Sequence, residues 1–171
     1  MDGKERRELL LSKLRQATDP VTGTALAREL GVSRQVIVAD IAILRAAGEG
    51  VFATPQGYVL PGRQESGRVS GTLACRHERE RIEEELYIIV DNGGKLLDVM
   101  VEHPVYGEIR ASLMLSSRRE VSAFLQRLED SGATPLYTVT GGIHLHTVEA
   151  PSANVLEKIR GELRQVGILL D

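Results

Sequence analysis

The chain has 171 residues, 42% of them apolar and 26% charged, and a net charge of −3. These are the proportions of a folded globular protein, and they exclude a disordered or fibrous one. No apolar run reaches membrane-span length, the opening MDGKERRELL is charged rather than signal-like, and the single cysteine, Cys75, excludes an intrachain disulfide, so a cytoplasmic protein is expected with no membrane partner.

On size alone, two units of roughly 60 and 100 residues are expected. Residues 1–62 carry 8 Lys+Arg against 7 Asp+Glu, and the rest carries 13 against 17. Neither part is strongly basic. Any nucleic-acid binding must rest on a local basic face and on avidity rather than on the overall field.

In chain order, KERRELLLSKLRQA (residues 4–17) spaces Leu9, Leu10, Leu14 and Ala17 as one face of a first helix. Thr22 is the candidate N-cap of a second, TALAREL, which stops at Gly31. Ser33 caps a third that runs to about Ala47 with Ile37, Ile41 and Leu44 on one face and Gly48 as its stop. Helix, tight turn and helix over ALARELGVSRQVIVADIAILRAAG form a helix-turn-helix pattern. The pattern turns Ser33, Arg34 and Gln35 to the major groove, where Arg and Gln can read guanine and adenine edges. VFATPQGYVL then reads as the hairpin of a winged helix with its tip near Gln56, and Arg6, Arg28 and Arg45 are candidate phosphate contacts. A protein-binding three-helix module is the competing reading, and the exposed Ser-Arg-Gln turn favours DNA.

The polar, turn-rich residues 63–67 mark a linker between a DNA-binding domain at 1–62 and a second domain at 68–171. In that domain Arg68–Arg76 reads as strand and Glu78–Val90 as helix, with Ile82, Leu86 and Ile89 on one face. Lys95–Val101 and Val105–Leu115 read as strands, Ser117–Asp130 as a capped helix, Leu136–Val148 as strand and Asn154–Gln165 as helix, with a last short strand at Gly167–Leu170. The expected class is α+β, a mixed or antiparallel sheet packed by helices.

The second domain holds all four histidines. His144 and His146 lie two apart on a strand, so both imidazoles point to one face with Cα atoms about 7 Å apart. Alone, this spacing fits two polar residues on a wet face as well as a chelate. His77 ends the first strand beside a carboxylate-rich helix, and a third imidazole with a carboxylate suits a divalent transition metal such as nickel or zinc. Glu78, Glu80, Glu83, Glu84 and Glu85 are all candidates for that carboxylate, although an Arg81/Glu85 surface pair at i,i+4 is also expected. Were the helix to run through His77, Glu85 would stand about 12 Å along its axis, so His77 has to precede the helix. Cys75 is a rival ligand, with a buried structural thiol as its default. His103, held extended by Pro104, is either a strand-end hydrogen-bonding group or a wall of a small-molecule pocket.

The segments RHERERIEEEL, VEHPVYGEIR and GGIHLHTVEAP, with GVSRQVIVADIAILRAAG before them, resemble the niacin-responsive transcriptional repressors, in which a winged helix-turn-helix precedes a three-histidine (3H) domain. The resemblance spans nearly the whole chain. It implies a homodimeric repressor that binds operator DNA with nicotinic acid as corepressor and controls genes of NAD synthesis or niacin uptake. It also implies a metal site on His77, Glu85, His144 and His146, with no catalytic residue, and a matching histidine at His103. A metal sensor is the alternative regulator. A metalloenzyme is disfavoured, since no nucleophile or separate general base accompanies the histidines.

Overall fold

The computed structural model describes residues 1–62 and 67–171. The chain divides into two compact units, Met1–Gln64 and Glu65–Asp171. All but one of the residues expected as linker, 63–67, lie outside the described residues.

In the first unit α1 (Gly3–Gln16) opens with a capping box: Asp2 accepts from the Lys4 and Glu5 amides while Glu5 accepts from the Asp2 amide. Its inner face is Leu10, Leu11 and Leu14. Leu9, expected inside, is 43% exposed. Successive helical residues turn by 100°, so three adjacent leucines cannot share one side, and the packing against the other helices selects Leu10 and Leu11. The helix α2 (Gly23–Leu30) is capped by Thr22, whose hydroxyl accepts from the Ala25 amide, and ends at Gly31 in the left-handed region at φ 66°. The helix α3 (Arg34–Ala46) starts from Ser33, whose hydroxyl accepts from the Val36 amide at 3.3 Å. These helices enclose a core that includes Leu10, Leu14, Leu26, Leu30, Ile37 and Ile41.

Strands β1 (Phe52–Thr54) and β2 (Gly57–Val59) pair as an antiparallel hairpin. Val21 bridges to Tyr58 as a short third strand. A Cβ on Gly57 would lie 2.6 Å from the Val21 carbonyl, and φ there is +135°, so only glycine lets the wing return so close to the chain before α2.

The second unit runs β3 (Val69–Arg76), α4 (Ile82–Asp91) after one 3-10 turn, β4 (Lys95–His103), β5 (Gly107–Leu115), α5 (Arg118–Asp130), β6 (Ile143–Ala150) and α6 (Ala153–Gln165). The sheet order is β3-β6-β4-β5 and every neighbouring pair is antiparallel. The last strand of the sequence is therefore an inner one, inserted between the strands that α4 connects. Leu73, Cys75, Leu96, Val148 and Ala150 of the sheet meet Leu86 and Ile89 of α4 and Ile159 and Leu163 of α6 in one core.

Two expected strands differ. Leu136–Val148 is not one strand: Leu136–Thr140 is a 3-10 helix, and the strand begins only at Ile143. Pro135 sets the entry, local bonds from the Thr138 amide to Pro135 and from the Gly142 amide to Tyr137 close the turn, and Gly141 and Gly142 both have positive φ. The run LYTVT is β-prone in composition, but its hydrogen bonds are satisfied within the turn. Gly167–Leu170 makes only an isolated bridge, Leu169 to Cys75. It covers the end of the outer edge of β3, at Ala74–Arg76, where the Arg76 amide donates to the Ile168 carbonyl.

Candidate metal centre

The β3–β6 register sets Cys75 opposite His144 and Leu73 opposite His146. One step beyond the end of β3, the His77 amide donates to the Gly142 carbonyl at 3.3 Å, so the pairing continues to His77. Residues opposite each other in a ladder share a face, which brings His77, His144 and His146 to the inner face of the sheet. Gly142 makes this approach feasible: a Cβ there would lie 2.5 Å from the His77 carbonyl oxygen, and its φ is +92°. All three imidazoles are buried, as is Glu85 at 1% exposure.

Glu85 comes from the first part of α4, where Glu85, Leu86, Ile89 and Val90 form the inward face. Its position three residues after Ile82 and four before Ile89 is the signal in the sequence that it faces inward. The 3-10 turn Arg79–Arg81 separates His77 from α4 and folds the helix back over the strand end. His77 Nε2 thus stands 2.5 Å from Glu85 Oε2. The expected Arg81/Glu85 pair does not form: Arg81 pairs with Glu84 at 2.9 Å and donates to the Val166 carbonyl.

The hydrogen bonds fix the chemistry of the three rings. His77 Nδ1 is 2.7 Å from the Glu78 carbonyl, His144 Nδ1 is 2.9 Å from that of Gly142, and His146 Nδ1 is 2.7 Å from that of Asp98. A carbonyl oxygen only accepts, so each Nδ1 carries a proton and each Nε2 is the nitrogen left to take a second proton or a metal ion. The three Nε2 atoms converge on one carboxylate, His144 at 2.9 Å from Oε1 and His146 at 3.4 Å from the same oxygen. Neutral Nε2 atoms and carboxylate oxygens are all acceptors, and they repel at these distances unless a proton or a cation lies among them. Three imidazoles oriented by backbone carbonyls, with one carboxylate, are a donor set that fits a divalent transition metal.

The electrostatics agree. Burial by itself would raise the Glu85 carboxyl, but the charge of His146 and hydrogen bonds from His144, His146 and His77 hold it well below its ordinary 4.5. Burial opposes the charged forms of His77 and His146, yet Glu85 draws both above their ordinary 6.5. Cys75 Sγ, a Glu85 oxygen and a His144 nitrogen lie within 4.8 Å of one another, so the thiol is within reach of the same cluster. Burial, and then the Glu85 charge, push that thiol far up, which keeps it protonated as a buried apolar group.

Two residues of this centre were not singled out by the sequence. Asp98, buried within the apolar run KLLDVMV, supplies the carbonyl for His146, and its carboxylate accepts from the Thr147 amide at 2.9 Å. Tyr137, hidden inside the misread strand, stacks on His144 with ring centroids 4.8 Å apart and meets His77 edge-on at 5.0 Å. Beside this ring cluster a cavity of about 370 Å³ is lined by residues that include His77, Glu78, Arg79, Tyr137 and Gly142. His103 is not among its walls. It sits at the β4–β5 turn, where Nδ1 accepts from the Val105 and Tyr106 amides at 3.1 and 3.2 Å, the strand-end role.

In the first unit Ser33, Arg34, Gln35 and Arg45 are exposed. The Ser33 hydroxyl is committed to capping α3. Gln56 lies in the hairpin turn, half-buried, with its amide near the Thr54 hydroxyl at 3.2 Å, so it folds back onto the wing. Arg6 is engaged elsewhere: its guanidinium holds buried Asp40 at 2.6 Å, which ties α1 to α3. Arg28 is exposed and forms no ion pair among the described residues.

A model of the 3H domain matches residues 70–171, and one of an HTH domain matches residues 6–59. A probable transcription repressor NiaR of Thermotoga maritima is 49% identical over 168 residues, covering 98% of this chain and 95% of that protein. Transcription repressor NadR of Bacillus subtilis is 41% identical over 170 residues, covering 98% and 94%. An uncharacterised protein of Methanothermus fervidus is 32% identical over 112 residues, 63% of this chain and 17% of its own length. With both domains matched and full-length relatives of this kind, the chain belongs to the niacin-responsive transcription repressor family, as a DNA-binding repressor and not an enzyme.

Proposed function

We propose that the 3H domain holds a divalent transition metal, nickel, zinc or a similar ion, on His77, Glu85, His144 and His146, and that nicotinic acid is the corepressor. The observation that carries the metal is the convergence of three Nε2 atoms, each oriented by an Nδ1–H bond to a carbonyl, on one buried carboxylate. When bound, a cation supplies the positive charge that relieves the repulsion among these acceptors. Glu85 of α4 and the histidines of the sheet are then tied to a common centre, which sets α4 firmly against β3 and β6.

Nicotinic acid and its genes, those of NAD synthesis or niacin uptake, come from the family resemblance, and the cavity beside His77 is of the volume a single-ring ligand needs. Two copies as a homodimer would present two α3 helices to the half-sites of an operator, with Arg34 and Gln35 reading bases, Ser33 fixing the helix start, and Arg45 and the wing around Gln56 on the backbone. Such a repressor acts in the cytoplasm, where the DNA is.

Gel shifts at fixed salt with metal-loaded protein test the reading. Nicotinate is expected to raise operator affinity; equal affinity with and without it sinks the corepressor role. Operator affinity that instead tracks added metal in the absence of nicotinate identifies the ion as the signal.

A further inference from the structure

Tyr137 is 5% exposed, and its hydroxyl is buried without a hydrogen-bond partner among the described residues. Leaving such a group unpaired is costly, so a native fold retains one chiefly where a partner arrives from outside the chain. The same residue lines the cavity beside His77. Its ring is immobilised between two of the site histidines, stacked on His144 and edge-on to His77. Its place is therefore fixed by the cluster, while its hydroxyl is left over.

The charged walls of the cavity are Arg79 and Glu78. Both are exposed. Arg79 enters no ion pair among the described residues, whereas the neighbouring Arg81 is held by Glu84. A phenol at neutral pH is a donor as well as an acceptor, and an unpaired guanidinium is a donor only. Together they offer two donors, one buried and one charged, to a ligand whose polar end can only accept.

We propose that Tyr137 is the specificity-determining residue of this cavity, its hydroxyl donating to the carboxylate of a small planar acid, with Arg79 at the mouth as the second donor. This rests on the small-molecule reading given above and assigns its recognition to named residues. A carboxamide cannot replace the acid without loss, because its oxygen is uncharged and a weaker acceptor for the hydroxyl, and its NH2 end turns donor against donor at Arg79. Glu78 opposes an anion, so its removal strengthens binding. The Tyr137 side chain meets the site histidines through ring contacts that a phenylalanine keeps, which separates ligand recognition from metal uptake.

The test is calorimetric titration of metal-loaded full-length protein with nicotinate, benzoate and nicotinamide, on wild type and on Tyr137→Phe, Arg79→Ala and Glu78→Gln. Tyr137→Phe is expected to bind both carboxylates about tenfold more weakly, to lose most of the preference for acid over amide, and to retain its full metal content. Arg79→Ala weakens the carboxylates by about threefold, and Glu78→Gln binds them more tightly. Unchanged carboxylate affinity in Tyr137→Phe overturns the assignment. If benzoate binds in a Tyr137-dependent way but nicotinate does not bind, the assignment stands and the corepressor reading falls. If nicotinate raises operator affinity equally in wild type and Tyr137→Phe, the corepressor reading stands and the assignment falls.

Discussion

Glu85 is the residue on which the 3H domain's charge balance turns. Its carboxyl is held below 4.5 in the fold, so it contributes stability that is present above that pH and lost as pH falls through the lower folded value. His77 and His146 are raised above 6.5, so their contribution is complete below 6.5 and is lost as pH climbs through the higher folded values. The stripped protein is therefore expected to be most stable between about 4.5 and about 6.5 and to weaken on the alkaline side. Metal uptake needs neutral imidazoles, so the stabilisation by metal grows over the same alkaline range. Denaturant midpoints of stripped and loaded protein across this range check both trends; a flat profile for stripped protein above 6.5 contradicts the pairing. Glu85→Gln should flatten that alkaline slope and lower metal affinity at least tenfold. Replacing both His144 and His146 by Ala should abolish metal uptake, measured by metal analysis after dialysis.

At the scale of elements, the glycine pair before β6 and the cap of α3 have distinct duties. Gly142→Ala sets a methyl group against the His77 carbonyl at a left-handed φ, and is expected to destabilise the domain by about 2 kcal/mol and to weaken metal binding without altering any ligand. Gly141 has a similar φ of 64° but open space around its Cβ position, so Gly141→Ala should cost about 1 kcal/mol and leave metal affinity alone. Chemical denaturation and metal titration of the two variants separate the effects. Ser33→Ala removes the hydroxyl that caps α3 and should lower the stability of the first unit by about 1 kcal/mol.

For the molecule as a whole, the arginines of the first unit divide between Arg6, held in the fold by Asp40, and the exposed Arg28, Arg34 and Arg45, which are proposed to meet DNA. Arg34→Ala should weaken operator binding and relax base preference, whereas Arg45→Ala and Arg28→Ala should weaken all sequences evenly and reduce the salt dependence. Arg6→Ala instead leaves buried Asp40 with only the longer contact to Arg7, at 3.4 Å, among the described residues, and should lower the melting temperature of the first unit. Gel shifts over a salt series, read beside thermal melts, distinguish the two classes. With 8 Lys+Arg against 7 Asp+Glu in residues 1–62, a net charge of only +1, affinity at one operator half-site is expected to be modest.

Local signals were enough for much of this protein. Thr22, Gly31 and Ser33 mark helix ends through side-chain oxygens and backbone freedom that act within four residues, so the helix-turn-helix was legible without any tertiary contact. The period-2 spacing of His144 and His146 likewise determined that both rings share a face. Spacing could not say whether that face was wet or buried, because burial depends on β6 being inserted between β3 and β4 by a long-range pairing. The spacing of Glu85 from Ile82 and Ile89 turns it inward, but spacing could not bring it to His77, since that depends on a 3-10 turn that folds α4 back onto the end of β3. LYTVT departs from its sequence pattern for the same reason: its composition favours a strand, but Pro135 and the positive φ of Gly141 and Gly142 close it into a turn that carries Tyr137 to the histidines. Sequence determined the parts whose hydrogen bonds close locally. The tertiary structure alone decided which polar side chains are withdrawn from water together, because only a buried group must find its partners inside the fold.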